Sequence, residues 1–185
     1  MKLYILLAGL LFAAAVAISY IYDHLAVRRK TRRRRRKLLA QLTSQPPCKA
    51  DFSTPEGAVL CLEDAIRQKN IEAAIACRDF ATEARLWLQE RGQISNEEKI
   101  TRQPETIRAM EKAFRVALTK GLSTDWILGK SYFLPHEPFA EGIVKVNKYT
   151  QVPEGGLYSQ QILVAKTGSE WRTVKTLPLS LDDEA

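Results

Sequence analysis

Twenty consecutive residues, Leu3 to Tyr22, carry no charge. A helix of that length rises roughly 30 Å, which matches the hydrocarbon core of a bilayer, and it would have no polar face. The stretch predicts a transmembrane anchor over residues 1–22. Tyr4, Tyr20 and Tyr22 sit near its ends, where interfacial rings are expected. Gly9 and Ala13 have the small-xxx-small spacing that packs against another helix. A cleaved secretory signal is the competing reading, because small residues surround Ala15 to Ala17. The apolar run is longer than a signal core, and the dense arginine block downstream should resist translocation.

Beyond this stretch the period is helical. Leu38 to Leu42 would prolong a juxtamembrane helix, which Pro46 and Pro47 end. Thr43 to Phe52 reads as a linker, and a folded domain begins near Ser53. Ser53 and Glu56 have capping-box spacing; alternatively Thr54 caps and Pro55 takes the first helical position. Ala58, Val59, Leu62, Ala65 and Ile66 recur at three and four, predicting a buried stripe on a helix that ends near Lys69. On this periodicity Glu63 and Asp64 fall on the solvated side. Asn70 caps a short second helix with Ile71, Ala74 and Ile75 inside. Asp79 caps a third, carrying Phe80, Ala84, Trp87 and Leu88 and stopping at Gly92. Ser95 and Glu98 repeat the capping spacing before a longer helix, with a break expected at Pro104. Ile107, Met110, Phe114, Ala117 and Leu118 share its inner face, and Gly121 ends it.

After Gly121 the period shortens. Trp126 to Leu134 predicts a first strand, and Pro135 and Pro138 bracket a turn. A second strand starts at Ile143, Val144 and Val146 and reaches Val152. Pro153 to Gly156 turns, Tyr158 to Ala165 is a third strand, Lys166 to Ser169 turns again, and Trp171 to Leu177 is a fourth. Short turns between long strands imply an antiparallel meander. Tyr158, Gln160, Ile162 and Val164 share one face; Ser159, Gln161, Leu163 and Ala165 share the other. Both faces are mixed, which predicts a curved sheet with one wall packed on helices. Helices first and strands after make an α+β fold. No GxGxxG, GxxxxGK[ST] or βαβα pattern is present, which argues against the common nucleotide folds.

Charge changes the picture at the amino end. Arg28, Arg29, Lys30, Arg32, Arg33, Arg34, Arg35, Arg36 and Lys37 place nine basic residues within ten positions. Such a block stays on the cytoplasmic side of a membrane, so an anchor here predicts a single pass in the inner membrane with a cytoplasmic domain. The cluster would face anionic lipid headgroups. Nucleic acid is the weaker alternative, because no aromatics interleave with the arginines to stack bases. The full chain is formally +7, yet without Lys2 and this block 18 basic residues remain against 20 acids from Leu38 onward, about −2. The basic balance belongs to residues 23–52, the juxtamembrane segment and linker. Residues 179–185 form a tail with three acids.

Cys48, Cys61 and Cys77 are odd in number and have no metal-ligand spacing, which argues against a disulfide framework. Cys61 and Cys77 fall in apolar helical patterns and read as small buried hydrophobes. One bridge stays open if the domain faces an oxidising compartment. No cofactor or metal set is expected.

The element order and several phrases resemble the NTF2-like superfamily. They are Thr54 to Ala65 (TPEGAVLCLEDA), Asn70 to Phe80 (NIEAAIACRDF), Glu83-Ala84, and the closing Gly155 to Val174. The nearer likeness is to bacterial NTF2-fold immunity-type domains. The resemblance covers residues 53–178 and implies a cone, with N-terminal helices packed on a curved antiparallel sheet. It also implies a protein partner, a toxin that the domain would neutralise by occlusion. VirB8-like secretion components share the fold and one N-terminal membrane helix, but their domain lies outside the inner membrane, opposite to what the arginine block predicts.

Some NTF2-like enzymes, among them ketosteroid isomerases and scytalone dehydratases, use carboxylate, Tyr or His groups inside the cone. That implies two catalytic candidates here. Asp79 could line the cone mouth as a general base, which would need a raised pKa; the plainer reading is a helix cap. His136, between Pro135 and Glu137, could act in acid–base chemistry, although a turn at the surface is its ordinary place. Arg78 could bind a carboxylate internally, with a surface pair as the simpler role. Trp87, Trp126 and Trp171 could wall a ligand, with core packing as the simpler role. The preferred reading is a membrane-tethered protein-binding domain. A small-molecule pocket of isomerase or dehydratase type and a structural subunit of a membrane or secretion complex are the alternatives.

Overall fold

The computed structural model describes residues 34, 36–92, 95–121, 129–151 and 157–177. The chain divides into two compact units, with the boundary between Gln45 and Pro46. In the first, residues 36–43 are helical. The anchor predicted over Leu3–Tyr22, most of the basic cluster and the acidic tail lie outside the described residues. No helix among the described residues is long and apolar enough to cross a membrane. The expectation of a single-pass inner-membrane protein is corrected accordingly: no spanning element among the described residues supports it, nor the membrane tether, lipid partner or membrane-complex subunit that rested on it.

In the second unit, each helix begins where a short polar side chain can accept a free amide. Helix α1, Pro55–Arg67, is capped by Thr54 through the amide of Gly57, with Pro55 in the first turn. Of the two starts the sequence allowed, Thr54 is the cap. Asn70 caps α2, Ile71–Ala76; Asp79 caps α3, Phe80–Glu90; and Ser95 caps α4, Asn96–Lys120. Pro104 lies inside α4 without breaking it. The carbonyl it leaves unpaired is that of Ile100, a residue 72% exposed, so water can take the missing bond.

The strands are β1 (Lys130–Phe133), β2 (Glu137–Ala140), β3 (Ile143–Gln151), β4 (Leu157–Thr167) and β5 (Glu170–Leu177), all antiparallel. Pro135 and Pro138 do not bracket a turn. β4 pairs with β3 along its whole length. β1 and β2 therefore share the other edge of β3 in series, β1 opposite Lys148–Gln151 and β2 opposite Ile143–Lys145. Pro135 has no N–H to give the ladder and interrupts one long edge strand without reversing it.

The sheet is open. β1 and β2 form one edge and β5 the other, and no pairing joins them among the described residues. The expected closed cone is thus corrected. The β5 edge is covered by the chain leading into α3: the Thr173 amide donates to the Cys77 carbonyl at 3.0 Å, and the Asp79 amide to the Thr173 carbonyl at 2.8 Å. The Trp171 amide donates to the Phe52 carbonyl at 2.8 Å.

This wrapping places helices on both faces of the sheet. Ala58 and Val59 of α1 pack on Val146, Ile162 and Val164. Leu86 of α3 packs on Leu163, Ala165 and Val174, beside Ile143, from the opposite face. Ile162 to Ala165 are consequently all buried. The mixed faces of β4 reflect two covered faces, where one helical wall was expected. A third cluster joins Ala65 and Ile66 of α1 to Ala74, Cys77, Phe114 and Leu118, seating α4 on the helical layer.

Candidate functional site

Glu63 is not on a solvated face. It is buried against the sheet, with its side chain only 3% exposed, and it pairs with Lys148 of β3, whose side chain is 0% exposed. Ser131 donates to the second Glu63 oxygen at 3.1 Å, and Lys148 reaches the Gln160 side-chain oxygen at 3.4 Å. The hydroxyl of Thr150, next inward on β3, is buried without a hydrogen-bond partner among the described residues. Burial pushes the Lys148 ammonium below its ordinary pKa, and the Glu63 carboxylate opposes that shift.

The sequence carried a signal for this pair. Glu63 lies four residues after Val59 and three before Ile66, on the stripe those residues bury. Lys148 alternates with Val146 and Thr150 on β3. Two opposite charges on two buried faces must meet, because either alone would be too costly to desolvate.

Glu63 and Gln160 also line a cavity of about 40 Å³ between α1 and the sheet, together with Val59, Leu62, Arg78, Ile162 and residues 173–176 of β5. A space of that size holds a few waters at most, whereas ligand pockets span about 300–1,000 Å³.

Arg78 donates to Glu83 at 2.5 Å and to the Val174 carbonyl at 2.5 Å. Its guanidinium lies 5.2 Å from the centre of the Phe80 ring and 4.8 Å from that of Phe114. A planar cation held by a carboxylate and two rings joins α3, α4 and β5. It is largely buried, not a surface pair.

The two catalytic candidates stand apart. Asp79 accepts from the Thr82 amide at 2.9 Å with one oxygen and from the Thr167 hydroxyl at 3.1 Å with the other. Both oxygens serve the cap and the β4–β5 turn. His136 sits in the break between β1 and β2, 42% exposed, with Nδ1 2.9 Å from Glu56 on the first turn of α1. The carboxylate can only accept, so Nδ1 carries the proton. The Trp171 ring centre lies 6.5 Å away, and Trp171 otherwise packs against the α1–sheet core. Trp87 is covered by Arg91 at 3.8 Å. Trp126 lies outside the described residues, as do all of the basic cluster except Arg34, Arg36 and Lys37. No group of three or more His, Cys, Asp or Glu residues able to hold a metal occurs among the described residues.

No family model matches the chain, and no curated protein matches it. A solved structure from Campylobacter jejuni, described as a candidate NTF2-like transpeptidase, is similar at 13% identity with a TM-score of 0.34, covering 66% of this chain and 99% of that one. A likeness that low carries no fold or activity to this chain. The comparisons give no support to the expected place among NTF2-fold immunity-type domains or to the toxin-neutralising role.

Proposed function

We propose that the second unit is a protein-binding module that works through its surface. The small size of the cavity between α1 and the sheet carries this reading. There Glu63, Gln160 and the apolar residues around them leave about 40 Å³. The two candidate acid–base groups are engaged elsewhere, Asp79 in a helix cap and His136 in a hydrogen bond with Glu56. That cavity leaves no room for isomerase or dehydratase chemistry, and Asp79 and His136 do not line it.

The β2 edge supports the binding reading from outside. All four of its residues are exposed, and Phe139 is 50% exposed. The strand pairs with β3 on one side only, among the described residues. An aromatic ring on an unpaired edge is a feature that partners cover, and the neighbouring Pro138 limits indiscriminate strand addition.

Chemical crosslinking of the full-length protein in its native cells tests this. One stoichiometric protein partner is expected, lost on Phe139→Asp while the urea midpoint stays unchanged. Undiminished partner recovery by Phe139→Asp would remove the β2 edge from the reading. A small molecule co-purifying in stoichiometric amount, and released by Lys148→Met, would overturn it.

A further inference from the structure

We infer that Cys48 and Cys61 form an oxidisable thiol pair, which closes into a disulfide that straps the segment before α1 onto the first turns of that helix. The backbone of that segment lies directly on α1. A Cβ added at Gly57 would stand 2.8 Å from the Lys49 carbonyl oxygen and 2.3 Å from that of Asp51. The Cys48 sulfur is 3.6 Å from the same Lys49 oxygen. Cys61 follows Gly57 by four residues, so both occupy one helix face, with Cβ positions about 5–6 Å apart. Helical side chains lean toward the N-terminus, which aims the Cys61 thiol back toward Gly57 and the strap. Backbone contact thus lays the segment that carries Cys48 on the turn of α1 that precedes Cys61.

Electrostatics agree with that placement. The Asp51 carboxylate bears on both thiols, and Cys48 bears on Cys61. Cys61 also bears on Cys77, in the core cluster that the two share. Cys77 is buried, and that burial pushes its pKa to about 11. Cys48 is exposed and Cys61 half-buried, so an oxidant reaches Cys48 first and Cys61 resolves.

With a disulfide such as oxidised glutathione, the Cys48 thiolate attacks one glutathione sulfur and the other glutathione leaves. The Cys61 thiolate then attacks the Cys48 sulfur and expels the second glutathione. Two protein thiols are oxidised, one glutathione disulfide is reduced to two thiols, and the two protein protons end on them. Burial, with the nearby acids, holds both protein thiols above the ordinary value. The bridge therefore forms slowly and acts as a stabilising strap, not a fast peroxide sensor. Phe52, inside the loop it closes, packs on two of the core clusters and accepts from Trp171.

The test is to incubate the full-length protein with oxidised glutathione, quench with acid and map peptides without reduction. The expected product is a monomer lighter by two hydrogens, with Cys48 joined to Cys61, formed about tenfold faster per pH unit between pH 7 and 8. In Cys61→Ser, Cys48 should instead stop as the mixed disulfide with glutathione. A wild-type protein that also stops at the mixed disulfide, a Cys48–Cys77 or Cys61–Cys77 bridge, or a Cys48-linked dimer would each overturn the assignment.

Discussion

Lys148 of β3 and Glu63 of α1 meet with side-chain exposures of 0% and 3%, joining the first helix to the centre of the sheet. Their partners, Ser131 and Gln160, come from β1 and β4, so one ion pair ties α1 to three strands of the sheet. Such a pair is costly to form and more costly to break.

Removing one partner should therefore be severe. Glu63→Ala leaves a buried ammonium without its carboxylate and should destabilise the domain by about 3–5 kcal/mol. Glu63→Leu combined with Lys148→Met should restore stability to within about 1 kcal/mol of wild type, or exceed it. Urea denaturation of the single and double variants reads both. A mild loss in Glu63→Ala would mean that water reaches the pair.

Cys77 should give stability a downward slope in alkali. Burial raises its thiol from 9.0 in a free chain to about 11 in the fold. Between those values the folded state holds a proton that the unfolded state has released. The contribution is complete below pH 9 and is lost as pH rises through 11, amounting to about 2–3 kcal/mol. Cys77→Ala should flatten this part of the pH–stability curve relative to wild type. Parallel curves for the two proteins would count against a buried thiol.

Gly57→Ala should cost about 1–3 kcal/mol, despite the helix-forming advantage of alanine. The added methyl would stand 2.3 Å from the Asp51 carbonyl oxygen, which is backbone and cannot rotate away. The same variant should slow closure of the Cys48–Cys61 bridge by lifting the strap. A stabilised Gly57→Ala, seen as a higher thermal midpoint, would show that the strap does not rest there.

Asp79→Ala should destabilise by about 1–2 kcal/mol, through loss of the α3 cap and of the Thr167 contact. Asp79→Asn retains one acceptor oxygen and should recover about half of that loss. Equal losses in the two variants would indicate that the negative charge, and not the hydrogen bonds, matters at this position.

The amino-acid sequence by itself determined the local structure of the second unit. Asn70, Asp79 and Ser95 start α2, α3 and α4 because each presents an acceptor to amides that have no partner within the helix, while for α1 the sequence left Ser53 and Thr54 open. The α+β order, the meander and the two alternating faces of β4 were legible for the same reason: period and turn chemistry are local properties.

The arrangement of layers was not local. The run Ile162–Ala165 reads equally as a strand covered on one face or on both. Only the passage of Cys77–Asp79 over the β5 edge, which carries α3 to the far face, decides between them. Pro135 shows the same limit. A proline forbids one hydrogen bond, but whether the chain turns there or continues along the edge depends on whether β3 offers a place beyond it. The burial of Glu63 likewise rests on Lys148, 85 residues away. Charge alone favours solvent, and the tertiary fold reverses that preference by supplying the opposite charge and the hydrogen bonds that offset desolvation.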